Sequence, residues 1–348
     1  VETSAGRLCD DVELPLIQVL GNMEIAGITV DLEVLHGLES DFGRRVTAAA
    51  EAAYDAIGHE VNLGSPKQLQ TVLYEELDMP KTKKTKTGWT TDAEALQQLF
   101  EKTQHPFLAH LLEHRDANKL RQTVETLRKT VCDDSRVHTT FSQTTAATGR
   151  LSSNDPNVQN IPIRTPAGRR IREAFVAGVE HSVLFTADYS QIEMRIMAHM
   201  SGEADLIAAF RAGEDFHTMM AAQVFECDPT QVDSELRSRI KAMNYGLAYG
   251  LSAYGLSQQL AISPPEAQRL MDTYFERFGK VQEYLQGLVE TARKTGFTET
   301  IMGRRRYLPD LQSDNRQRRE MAERMALNAP IQGSAADLIK VAMLNVAS

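Results

Sequence analysis

Apolar residues recur at helical spacing from 32 to about 130 and again from 203 to about 300 of this 348-residue chain, so its strands are few and must come from the stretches between. One helix, carrying Leu14, Ile17, Leu20 and Met23, runs into Gly27 and a short strand, Ile28 to Val30. Ser65-Pro66-Lys67 reads as an N-cap with proline at the first helical position. The lysine- and threonine-rich stretch 81–91, with Trp89 near its end, reads as a loop or the tip of a helical hairpin, and Val137 to Thr145 alternates as a strand does. Ser152 to Pro162 is too rich in turn residues for regular helix. Val183 to Ala187 is expected to be a buried strand that ends in Asp188 and feeds a helix from Ile192. Ser263-Pro264-Pro265-Glu266 marks a capping-box start, Phe297 to Met302 a strand, and Asn315 to Ala347 a helix expected to break at Pro330. The expected class is α+β: mostly helical, with a small, incomplete sheet and two helical lobes.

The composition, 42% hydrophobic and 24% charged, supports core formation throughout. Cys9, Cys132 and Cys227 are odd in number and far apart, which argues against a disulfide framework or a cysteine-based zinc site and makes a reducing cytosol the simplest setting. No stretch approaches the roughly 18 continuous apolar residues of a membrane span, and the first residues do not read as a signal peptide. A balance of 38 basic to 47 acidic residues, net −9, argues weakly against a polyanionic partner, but the distribution matters more than the total. Lys81, Lys83, Lys84 and Lys86 crowd one stretch, Arg164, Arg169, Arg170 and Arg172 another, and Arg304 to Arg306 with Arg316, Arg318, Arg319 and Arg324 a third. Each cluster is either a local anion site or simply a solvated face.

Three constellations could carry chemistry. Arg237, Lys241, Tyr245 and Tyr249 repeat every four residues, which places a cationic and then aromatic stripe along one helix. Two like charges one turn apart repel, and no acidic residue stands a turn from Lys241 on that helix, so a phosphate chain would relieve the repulsion and a ring could stack on what it carries, with Gly246 leaving room. The plainer reading is an exposed basic helix end with core tyrosines. Asp188 could hold a hard cation with Glu193 close by, or merely cap the turn before Ser190. His217, at a helix start, is by itself more often a cap or a surface group. Arg324, Asn328 and Gln332 repeat at four across Pro330, and Thr148-Gly149-Arg150 and Pro156 to Arg164 offer amides and guanidinium groups suited to a minor groove. Together these specify a Mg²⁺ carboxylate, a triphosphate-holding helix and groove-reading amides. No P-loop, dinucleotide-binding glycine fingerprint, His-Glu-x-x-His or nucleophile elbow is present.

From Val12 onward the chain resembles the polymerase region of bacterial family A DNA polymerases. Asp188-Tyr189-Ser190-Gln191-Ile192-Glu193-Met194-Arg195 is similar to that family's first polymerase motif, and Arg237 followed by Lys241-Ala242-Met243-Asn244-Tyr245-Gly246-Leu247-Ala248-Tyr249-Gly250 to its second. Thr148-Gly149-Arg150-Leu151-Ser152-Ser153 and Asn328-Ala329-Pro330-Ile331-Gln332-Gly333 add two further matches.

The resemblance implies a right-hand architecture: an N-terminal segment at 1–31, thumb at 32–130, palm at 131–202, fingers at 203–314 and returning palm helices at 315–348. It implies a DNA-templated DNA polymerase acting in repair and replication, a cytoplasmic, nucleoid-associated monomer whose partners are primer-template DNA and dNTPs. Asp188, Lys241 and Arg237 would be catalytic, and Asp188 with the carbonyl of Tyr189 would bind two Mg²⁺ ions. Gln191, Glu193, His217, Arg237, Lys241, Tyr245 and Tyr249 would hold the dNTP, with Glu193 excluding a ribose 2′-hydroxyl. Lys81, Lys83, Lys84, Arg150, Asn157, Gln159, Arg164, Arg324, Asn328 and Gln332 would contact DNA. Position 245 is Tyr where many relatives carry Phe, a difference that the family associates with accepting dideoxynucleotides. The family's third motif, His-Asp-Glu, would follow the helix that reaches Ser348, so a second metal-binding carboxylate is expected to be missing and the alternative reading is a non-catalytic primer-template and dNTP-binding module.

Overall fold

The computed structural model describes residues 4–348 apart from Thr87, Arg164, Glu214 and Tyr249. In chain order the elements used below are α1 (Leu14–Ala26), β1 (Ile28–Val30), α2 (Leu32–Ile57), α3 (Ala93–Thr103), α4 (Pro106–Lys129), β2 (Arg136–Val137), β3 (Phe175–Val176), α5 (Ile192–Ser201), α6 (Phe216–Val224), α7 (Ser234–Ala248), α8 (Gly279–Thr295), β4 (Phe297–Glu299), β5 (Arg305–Tyr307) and α9 (Arg316–Ala347). They fall into two compact units, one made of 24–140 with 153–185 and the other of 1–23, 141–152 and 186–348.

The smaller unit is built on α2 and α4. Asp31 starts α2 because its carboxylate accepts from the backbone N–H of Glu33 and Val34, at 2.9 and 3.1 Å. Leu35, Leu38 and Phe42 then recur at helical spacing and are buried against Leu120, Val124 and Leu127 of α4. Under that core lies an antiparallel sheet in the order β2-β1-β3, registered by Ile28 opposite Val137 and Val30 opposite Phe175. Ser65 accepts from the backbone N–H of Gln68, as its position before Pro66 predicts. The stretch 81–91 is not an unstructured loop or a helical tip. Lys84–Thr85 and Gly88–Trp89 pair antiparallel, and the ammonium groups of Lys81 and Lys84 lie 5.5 and 5.9 Å from the Trp89 ring centre.

The larger unit packs α5, α6, α7 and α8 around Met194, Met197, Phe216, Met220, Ile240, Met243 and Val281. Two sequence expectations fail here. Pro330 sits inside α9 without breaking it. Proline removes one N–H donor, but Ala326, Ala329, Ile331, Gly333 and Ala335 on both sides are buried, and that packing outweighs the roughly 3 kcal/mol penalty. The hydroxyl of Ser334 donates to the Pro330 carbonyl at 2.6 Å.

Val183 to Ala187 forms no strand and is not buried: Val183 is 74% exposed and Phe185 88%. An apolar run becomes a strand only where a neighbour answers its N–H and C=O groups, and none of the described residues pairs with it. Asp188 therefore lies in exposed, irregular chain just before α5, not at the end of a buried strand.

Candidate functional site

The site lies within the larger unit, on α7 and the two segments that face it. On α7, Met243, Asn244 and Leu247 turn inward, whereas Arg237 and Lys241 are exposed and Tyr245 is half-buried. The helix thus anchors itself by one face and presents the cationic stripe with the other.

The charge next to Arg237 comes from another helix. Asp215 caps α6 by accepting from the backbone N–H of His217 and Thr218, at 3.2 and 3.3 Å, and its carboxylate pairs with Arg237 at 3.1 Å. The expected repulsion between Arg237 and Lys241 is therefore answered in part by a protein carboxylate, a solution invisible to a reading confined to one helix.

His217 follows that cap and is 4% exposed, neither a cap nor a surface group. Burial lowers its pKa first, and the positive charges of Arg237 and Lys241 lower it further, with Asp215 opposing them. The imidazole, the guanidinium and the ammonium group thus sit close enough to feel one another.

Tyr245 connects this cationic end to the acidic one. Burial raises the pKa of its phenol, and the charges of Glu193 and then Asp188 raise it again. Glu193 is buried in the first turn of α5 and receives the Arg150 guanidinium at 2.5 Å. Gln191 enters α5 with φ +55°, and its side-chain oxygen is buried without a hydrogen bond among the described residues.

Arg304 packs against the residue before Arg150. That residue, Gly149, adopts φ +86°, and a Cβ there would meet the Arg304 guanidinium at 2.5 Å. Gly246, expected to make room for a ring, instead makes room for Leu251, whose side chain would lie 2.9 Å from an added Cβ.

Among the predicted groove-reading residues, Arg324, Asn328 and Gln332 lie along α9 in this same unit, and the Asn328 side-chain oxygen is buried with no hydrogen bond among the described residues. Lys81, Lys83, Lys84, Asn157 and Gln159 belong to the other unit, where Asn157 accepts from the backbone N–H of Gln159 at 3.0 Å. Tyr249 and Arg164 lie outside the described residues.

For a divalent cation the chain offers the exposed Asp188 carboxylate and the Tyr189 backbone carbonyl. The other nearby carboxylate, Glu193, is engaged by Arg150, and no group of three or more metal-ligating side chains occurs among the described residues. A carboxylate and a carbonyl fit Mg²⁺, which keeps several waters and takes its remaining ligands from substrate phosphates.

Sequence reasoning missed Asp215 as the partner of Arg237, and Asn244 behind His217. Asp215 was recoverable as an N-cap two residues before His217, whereas the contact of Asn244 requires the packing of α6 on α7. No helix among the described residues is long and apolar enough to cross a membrane.

The sequence model described as DNA polymerase family A matches residues 32–348. DNA polymerase I of Mycobacterium tuberculosis (strain ATCC 25618 / H37Rv) is 64% identical over 339 residues, covering 97% of this chain and 38% of that protein. DNA polymerase I of Bacillus subtilis (strain 168) is 44% identical over 344 residues, covering 98% of this chain and 39% of that protein. The chain therefore spans about two fifths of the length of the curated relatives it matches. A solved structure of the POL domain of Pol1 from M. smegmatis, in complex with DNA primer-template and dNTP, superposes with a TM-score of 0.95 at 64% identity, covering 98% of this chain and 60% of that one.

Proposed function

Because this chain belongs to DNA polymerase family A, we propose that it carries the nucleotide site of a DNA-templated DNA polymerase, which adds deoxynucleoside monophosphates from dNTPs to a primer 3′ end. The observation that supports this most is the stripe on α7. The charges of Arg237 and Lys241 act on the buried His217, and those of Glu193 and Asp188 act on Tyr245, one turn beyond Lys241. A triphosphate needs two or three donors of positive or neutral hydrogen-bonding character, and a deoxyribose with its base needs a flat, half-buried surface beside them.

In this reading Lys241 and Arg237 neutralise the phosphates and stabilise the charge that grows on the leaving pyrophosphate. His217 donates a neutral hydrogen bond to the same oxygens, while Gln191 and Tyr249 complete the nucleotide contacts. Tyr245 carries the sugar and base, and Glu193, locked by Arg150, fills the space a ribose 2′-hydroxyl would need. Arg150, Arg164, Arg324, Asn328 and Gln332, with Asn157 and Gln159, follow the primer-template. Lys81, Lys83 and Lys84 grip its phosphates with a charge that salt screens.

The proposed cofactor is Mg²⁺: Asp188 and the Tyr189 carbonyl would hold it, and it would supply positive charge beside the phosphates. The right-hand division into thumb, palm and fingers, a monomeric state of the whole protein, and a role in repair and replication in the bacterial cytoplasm, at the nucleoid, complete the proposal.

The test is primer extension by the full-length protein and nucleotide binding by this chain. Lys241→Met should weaken dNTP binding about 10- to 100-fold, the worth of a charged hydrogen bond, and Asp188→Asn should abolish extension. Unchanged dNTP affinity in Lys241→Met would overturn the reading. Because Glu193 is engaged by Arg150, a second reading of this chain by itself is that it binds nucleotide and primer-template without turnover, and extension by it, free of other polymerases, would contradict that.

A further inference from the structure

We propose that Asn244 is a positioning residue that fixes His217 as the neutral Nε2–H tautomer, so that the site presents a directional hydrogen-bond donor to phosphate in place of a third cation. The proposal rests on the nucleotide reading for its purpose, but its geometry stands without it.

Asn244 is 1% exposed, and its side-chain nitrogen lies 3.4 Å from His217 Nδ1 and 3.2 Å from the Met220 sulfur. A thioether sulfur accepts and cannot donate, so the amide atom facing it is the NH₂ group. Both amide hydrogens are then used, one toward the sulfur and one toward Nδ1. The reversed amide would turn its oxygen on the sulfur and strand two buried N–H donors. The present orientation strands only the oxygen, which is buried without a partner among the described residues.

A ring nitrogen that accepts from Asn244 carries no proton, so in the neutral imidazole the proton sits on Nε2. That nitrogen makes no hydrogen bond among the described residues. The ring cannot easily turn over, because it packs edge-on against Phe216 at 5.4 Å between centres, and Phe216 in turn stacks on Phe210 at 4.3 Å.

The charged groups facing His217 are Arg237 and Lys241 on α7 and Asp215 at the start of α6, and their balance opposes protonation. A neutral donor keeps its character through the pH range where an imidazolium would come and go. It also avoids crowding a third positive charge beside two others when the phosphates have left.

The experiment is long-range ¹H–¹⁵N spectroscopy on ¹⁵N-histidine-labelled chain at pH 7, with the His217 ring assigned by its loss in His217→Gln, followed by titration with sodium tripolyphosphate. The native ring should show a protonated Nε2 and a bare Nδ1. In Asn244→Ala the two tautomers should interchange, and tripolyphosphate should bind roughly three- to tenfold more weakly, the scale of one neutral hydrogen bond. Asn244→Leu, which keeps the volume, should behave in the same way and separates tautomer control from cavity formation. A protonated Nδ1 in the native chain, or an unaltered tautomer in both variants, would overturn the proposal. The native spectrum decides the assignment even if neither variant folds. If Nε2 carries the proton but tripolyphosphate leaves the ring unperturbed, the nucleotide reading fails and the tautomer assignment stands.

Discussion

The Lys340 ammonium group, 1% exposed, lies 2.8 Å from a carboxylate oxygen of Glu13, 327 residues earlier in the chain. The Arg304 guanidinium bonds the same carboxylate and also Asp337, at 2.7 Å, while the Thr300 hydroxyl donates to the second Asp337 oxygen at 2.6 Å. Two acids and two bases, largely withdrawn from water, thus join the turn before α1 to the β4–β5 hairpin and α9. Burial alone would raise the Glu13 pKa, but hydrogen bonds from Lys340 and Arg304 outweigh it and hold the carboxyl below its ordinary value.

Removing one member strands the others. Urea unfolding should show Lys340→Met losing about 3 kcal/mol, the scale for a broken buried pair. The Glu13→Gln/Lys340→Met double variant should lose less than the sum of the two single variants. Simple additivity would mean that the contact contributes no coupling. Because the folded pKa of Glu13 is depressed, the contribution of this group is complete above its ordinary 4.5 and fades as the pH falls below that value through the folded one.

His217 sets a different pH dependence. Burial, then Arg237 and Lys241, depress its folded pKa below 6.5, so as the pH falls past that value the unfolded chain takes up a proton that the native one refuses. Stability should fall from there downward until the folded pKa is passed, and His217→Gln should flatten that part of the profile. His59 and His138 shift upward, through Glu76 for the first and the Glu24 carbonyl for the second. Their contributions are complete below 6.5 and fade above it, so the decisive measurement is the difference between variant and native chain, followed by thermal melts from pH 5 to 8.

The exposed run at 183–185 should make the chain sticky. Val183, Leu184 and Phe185 are 74, 48 and 88% exposed in a stretch without strand partners among the described residues, which is the kind of segment that pairs with copies of itself. Sedimentation velocity should show concentration-dependent association that Val183→Lys/Phe185→Lys suppresses. Equal association in both chains would place the contact elsewhere.

In the full-length protein, Glu193→Ala should raise ribonucleotide incorporation, because it opens the space that Arg150 now holds closed through Glu193 at 2.5 Å. Tyr245→Phe should raise discrimination against dideoxynucleotides, read as the ratio of terminated to extended primers. Unchanged ratios would remove these two side chains from sugar selection.

Local signals were legible where the chemistry is local. Asp31 and Ser65 cap the helices they precede, and the four-residue spacing of Arg237, Lys241 and Tyr245 sets them along one helix. The four-residue period is a property of the backbone, and a cap needs only the next three N–H groups. Hydrogen bonds and charges that cross the chain have no such signal. The sequence determined the helices, their caps and the composition of the α7 stripe. Only the tertiary structure decided that Asp215 would neutralise Arg237, that Asn244 would sit behind His217, that Lys340 would be buried against Glu13, and that Val183 to Ala187 would find no partner. Each of those outcomes depends on which surfaces meet, and a strand or an ion pair is defined by the group opposite it.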